Sequence, residues 1–75
     1  MQVVTAGLTG RQLAAARVLA GLRQSDIAAA AGCSLPTIKR LETAPRPKLS
    51  ESFAAVVRVL EAAGVEFIER GVRLR

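Results

Sequence analysis

Gln24, Ala28, Gly32 and Ile38 fall at positions 1, 5, 9 and 15 of the stretch QSDIAAAAGCSLPTIKRLE, and together they leave the backbone few ways to run. Gln24 starts a helix, where a polar side chain and free N–H groups can meet a phosphate. Ala28 faces a second helix and must be small, because two short helices crossing steeply bring their backbones close. Gly32 lies just past the first helix, where a left-handed backbone is needed and a residue without Cβ adopts it cheaply. Ser34 then caps the second helix, Pro36 fits its first turn, and Ile38 and Leu41 point inward.

Two helices joined this way make a helix-turn-helix, which sets a short helix in the major groove of DNA. The segment resembles the Cro- and lambda-repressor-like (Xre-type) family. Leu13, Arg17, Gly21 and Leu22 match that family's first helix and its approach to the second. Leu41-Glu42, followed by a loop with Pro, Lys and Arg, matches the exit. About residues 9–63 are covered. The resemblance implies a compact four-helix domain, a dimer on a two-fold symmetric operator, and a transcriptional regulator. It also implies an ion pair between Arg17 and Glu42. A charge on a mostly apolar helix in a small core needs such a partner; the other reading leaves Arg17 on the solvated face.

With 75 residues the chain makes one domain whose core is barely sufficient alone, so dimerisation would help bury its apolar surplus. One cysteine excludes an internal disulfide and suits a reducing compartment. The N-terminus lacks a basic start and a continuous apolar run, and no stretch is apolar enough to span a bilayer. A soluble, cytoplasmic (nucleoid-associated) protein is expected. The formal charge of +5 is unevenly spread. Residues 1–50 hold seven basic and two acidic side chains, whereas residues 51–75 hold four of each. All the net positive charge therefore lies in the half with the motif, as a polyanion-binding surface requires. An Arg-rich composition from a GC-rich genome would explain the excess of Arg over Lys, but not this asymmetry.

Residues 1–8 read as a flexible N-terminal arm, with Gln2–Thr5 alternatively pairing with the C-terminal strands. Thr9 is the N-cap of a helix over about 10–20, with Leu13, Ala16 and either Leu19 or Ala20 inward. Helices are predicted at about 24–31 and 35–43, the latter being the recognition helix. Pro45 and Pro47 make the next stretch a loop. Ser50 caps a fourth helix over about 51–63, with Phe53, Val56, Val57 and Leu60 as its apolar stripe. From residue 64 to 75 the period becomes two, predicting a β-hairpin about Arg70-Gly71. That loop pairs Phe67 with Leu74, Glu66 with Arg75 and Ile68 with Arg73. It gathers Val65, Phe67, Val72 and Leu74 on one face. A lone hairpin is marginal in water. It either joins a second copy, with Val57, Ile68, Val72 and Leu74 as dimer candidates, or simply covers the core.

Matched to the family motif, Leu35, Pro36, Lys39 and Arg40 face base edges. Arg40 suits the bidentate contact to guanine, Lys39 does so less selectively, and Leu35 offers apolar contact to a thymine methyl. Pro36 stands where many relatives carry a polar reader, which shifts weight onto Lys39, Arg40 and DNA shape. Arg23, Gln24, Ser34, Thr37, Arg46 and Lys48 read as phosphate contacts; taken singly, a basic residue is by default a solvated charge. Cys33 reads as an inert packed thiol, with a redox sensor as the alternative. No histidine, a single cysteine and no suitably spaced carboxylates leave catalysis, metal and cofactor without a candidate. Phe53 and Phe67 are core, so no stacking platform for single strands is expected. The leading reading is a sequence-specific, double-stranded DNA-binding transcriptional regulator, a dimeric repressor on an inverted repeat. The alternative is a protein-interaction module, antiactivator- or antitoxin-like, acting on a regulatory protein partner.

Overall fold

The computed structural model describes residues 7–75. It contains α1 (Gly10–Leu19), α2 (Gln24–Ala31), α3 (Leu35–Thr43), α4 (Glu51–Ala62), β1 (Val65–Ile68) and β2 (Gly71–Leu74). The architecture is mainly helical, with four helices and one antiparallel two-strand sheet. The expected pairing of Gln2–Thr5 lies outside the described residues.

Three of the four helices, α1, α3 and α4, start where a side chain meets a free N–H of the first turn. Thr9 caps α1 by accepting from the Gln12 N–H, while the Gln12 side chain accepts from the Thr9 N–H. Ser34 and Ser50 do the same for α3 and α4, accepting from Thr37 and Phe53 N–H. Gly32 ends α2 with φ +70°, and the N–H of Cys33 then closes back on the Ala28 carbonyl at 2.9 Å. This left-handed step turns the chain sharply enough to lay α3 across α2.

The core is built from one stripe of each helix. Leu13 and Ala16 of α1, Ile27 and Ala28 of α2, and Ile38 and Leu41 of α3 are buried with Phe53, Val56, Val57 and Leu60 of α4. Val65 and Phe67 of β1 close one end. On α1, Ala20 rather than Leu19 packs against this core, and Leu19 is exposed. Two expectations change here. Leu8, assigned to the flexible arm, is buried in the core, since a large apolar side chain next to the Thr9 cap finds cover there. Val57, named as a dimer candidate, is also buried, because α4 turns its whole apolar stripe toward the monomer core.

The hairpin turns one residue earlier than expected, which moves every cross-strand partner by two. Phe67 lies opposite Val72, Glu66 opposite Arg73 and Ile68 opposite Gly71, so the connecting residues are Glu69 and Arg70. A shift of two preserves parity, so Val65, Phe67, Val72 and Leu74 still share a face. This register brings Glu66 within 2.8 Å of Arg73. It also sets the Ile68 and Gly71 carbonyls side by side, where the buried Gln12 amide donates to both at 2.9 and 3.2 Å. The turn in exchange holds Arg70 at φ +62°. For a residue with a Cβ that conformation costs about 1 kcal/mol.

Candidate nucleic-acid interface

On α3, helical periodicity separates an anchored face from a free one. Ile38 and Leu41 are buried, while Leu35, Pro36, Lys39, Arg40 and Thr43 are exposed. The Ser34 and Thr37 hydroxyls lie 2.9 Å apart in a mutual hydrogen bond. Thr43 turns its hydroxyl back to the Lys39 and Arg40 carbonyls at 3.0 and 3.3 Å.

The far end of α3 is fixed by Glu42. Its carboxylate accepts Arg17 Nε at 2.7 Å and Nη2 at 3.3 Å, and Gln24 Nε2 at 2.9 Å. A further Arg17 N–H goes to the Leu22 carbonyl at 3.1 Å. The side chains of Arg17 and Glu42 are only 18% and 8% exposed, so water does little to screen the pair. This network ties α1, the start of α2 and the end of α3 into one frame. It also gives Gln24 an inward bond: one of its amide donors, read from sequence as a phosphate contact, is taken by Glu42.

Gly10, the first residue of α1, closes the same frame. Its N–H donates to the Ala44 carbonyl at 3.0 Å. A Cβ there would lie 2.5 Å from the carbonyl oxygens of Leu41, Glu42 and Ala44. The positive end of α1 thus meets the negative end of α3 at backbone-to-backbone range, a favourable alignment open only to glycine.

Charge is arranged differently on the outside. Asp26 accepts from the Arg23 backbone N–H at 2.8 Å and from its guanidinium at 3.3 and 3.4 Å. The backbone bond above all, then the guanidinium, holds the Asp26 carboxyl below its ordinary range. Arg23 offers α2 no side-chain cap, so Asp26 supplies the only cap bond at that start. Lys39, Arg40, Arg46 and Lys48 are exposed, and among the described residues none has a carboxylate within 4.0 Å. The single acid in residues 35–50 is Glu42, which faces inward. The outer surface of α3 and its exit loop is therefore uniformly positive.

Residues 9–72 match a family described as a helix-turn-helix domain. The chain belongs to this family, of the Cro/C1 (Xre-like) type. No curated protein matches the chain. A helix-turn-helix domain of this type points to DNA as partner and to regulation rather than catalysis. No helix among the described residues is long and apolar enough to cross a membrane.

Within the helix-turn-helix domain, Leu35, Pro36, Lys39 and Arg40 come together on the free face of α3. Ser34 and Thr37 lie at its start, and Arg46 and Lys48 follow its end. Arg23 stands at the start of α2, highly exposed at 82%. Ile68 and Leu74 are exposed and Val72 is half-buried against the core. Cys33 is half-buried, with its thiol 3.6 Å from the Ala31 carbonyl. Two positioning residues escaped the sequence reading. Gln12 carried a signal, since Thr9-Gly10-Arg11-Gln12 is a capping-box string. Gly10 carried none, because its constraint comes from carbonyls more than 30 positions away.

Proposed function

We propose that this helix-turn-helix domain is a sequence-specific regulator of transcription that binds double-stranded DNA, acting as a homodimeric repressor on an inverted-repeat operator. The observation that carries it is the set of four exposed cations, Lys39, Arg40, Arg46 and Lys48, on one helix and its exit loop, with the neighbouring acid turned inward. Such a surface is costly in self-repulsion and does nothing for the core; a polyanion compensates it.

Arg40 and Lys39 read base edges, with the planar fork of Arg40 suited to guanine O6 and N7. Leu35 and Pro36 contribute apolar contacts. Arg23, Ser34, Thr37, Arg46 and Lys48 hold phosphates, together with the free N–H groups of α2 and the second amide donor of Gln24. The Arg17–Glu42–Gln24 frame keeps both helices at one angle, so the reading groups arrive pre-set. The second copy joins through the hairpin, whose exposed Ile68 and Leu74 and outer strand edge are available for it. The DNA-facing surface then lies in the cytoplasm, on the nucleoid.

Selection from a random duplex pool across a salt series tests this. Enrichment of an inverted repeat with half-sites about one helical turn apart supports it. Weak, salt-sensitive binding without any enriched sequence rejects it in favour of a protein partner.

A further inference from the structure

Resting on the DNA-binding reading above, we infer that the start of α3 reads the 5-methyl group of a pyrimidine, a contact that thymine and 5-methylcytosine both offer. Leu35 and Pro36 are exposed, and neither side chain carries a donor or an acceptor. The two hydroxyls beside them are already engaged. Ser34 Oγ accepts from the Thr37 N–H at 3.3 Å and shares a hydrogen bond with Thr37 Oγ1 at 2.9 Å. One hydroxyl hydrogen of the pair is left, which the reading above gives to a phosphate, so a base edge at this end of the helix meets Leu35 and Pro36.

In the major groove the pyrimidine 5-methyl is the one apolar group on a base-pair edge. An unmethylated cytosine has only a hydrogen at C5, so Leu35 and Pro36 lose the apolar group that they would cover. Methylated cytosine restores the apolar contact.

Position along the groove follows from helix geometry. Leu35 and Lys39, and likewise Pro36 and Arg40, are four residues apart and share a face. Four residues advance about 6 Å at about 1.5 Å each. That is roughly two base-pair steps of about 3.4 Å. The methyl contact thus falls about two steps from the guanine contacted by Arg40, giving half-sites with a thymine beside a guanine at that interval.

The test uses the full chain and the duplex enriched by selection, with fluorescence anisotropy as readout. Replacing the thymine by deoxyuridine removes only the methyl and should weaken binding about fourfold, as expected for one buried methyl-sized group. A cytosine at the same position should bind about fourfold better once it carries a 5-methyl. Leu35→Ala should abolish both differences while leaving the guanine preference intact, with an unchanged circular-dichroism spectrum as the control for folding. Equal binding of thymine and deoxyuridine duplexes overturns the inference alone, as does an enriched half-site without thymine. Selection that enriches no sequence overturns the DNA reading and the inference with it.

Discussion

Across the hairpin, Glu66 and Arg73 face each other at 2.8 Å and neutralise locally, whereas on α3 and its exit loop Lys39, Arg40, Arg46 and Lys48 stand without an acid nearby. Both surfaces are exposed, and both use ordinary side chains. The difference is what completes the charge. The hairpin balances its own charge, whereas the proposed DNA interface leaves its counter-charges to another molecule. Glu42 sharpens the contrast, since it lies on α3 and yet faces away from the positive surface.

Breaking the frame under α3 should have the largest effect. Glu42→Ala leaves Arg17 buried without its partner and should cost about 4 kcal/mol of stability. Urea denaturation measures it; replacing Arg17 and Glu42 together by apolar residues should recover most of the loss. Gly10→Ala comes next. Alanine ordinarily helps a helix, but here its Cβ meets three backbone carbonyls that cannot move aside. We expect a loss of about 3 kcal/mol, seen as a lowered thermal midpoint. A midpoint at or above the original would mean that α1 and α3 do not meet as described.

On the positive surface the readout is binding. Arg40→Ala should reduce the preference for the enriched site by about 2 kcal/mol while sparing non-specific DNA. Lys48→Ala should weaken every duplex alike and lower the salt slope by about 1. The reverse pattern would exchange their roles. On the neutral surface, Arg70→Gly should gain about 1 kcal/mol by relieving the positive φ, without changing DNA affinity.

The smallest effect is with pH. Arg23 and Arg73 hold the carboxyls of Asp26 and Glu66 below their ordinary values of 3.8 and 4.5, in each case by hydrogen bonding first. A carboxyl depressed by folding contributes stability above its ordinary value and loses it as pH falls through its folded value. Thermal midpoints should therefore drop on acidification below about pH 4.5, and less so in the Asp26→Asn, Glu66→Gln double variant. Parallel curves for the two proteins would show that these pairs contribute nothing.

Sequence spacing identified the helices, the turn at Gly32 and the inward stripe of α4, because caps and periodicity are local. It paired Arg17 with Glu42 only through the family resemblance. The hairpin separated parity from register. Alternation determined which side chains share a face, but the turn falls one residue earlier and every cross-strand partner moves by two. In the observed register Gln12 reaches the Ile68 and Gly71 carbonyls from near the other end of the chain, a contact that strand alternation does not reveal. Leu8 and Val57 were misassigned for a related reason, since whether an apolar side chain is covered depends on which elements pack beside it. Gly10 was similarly silent, because a forbidden Cβ is visible only once the carbonyls around it are in position.

That glycine contact also bears on how small a working unit can be. A peptide of residues 24–44 contains the whole motif, yet the carbonyls at its C-terminus meet their counterpart in Gly10, which such a fragment lacks. Arg17 is missing from it too, so Glu42 would stand alone. The excised pair of helices would fray where Arg40 must be held firm. The reading helix is finished by residues that are synthesised well before it, and no fragment that omits them inherits its shape.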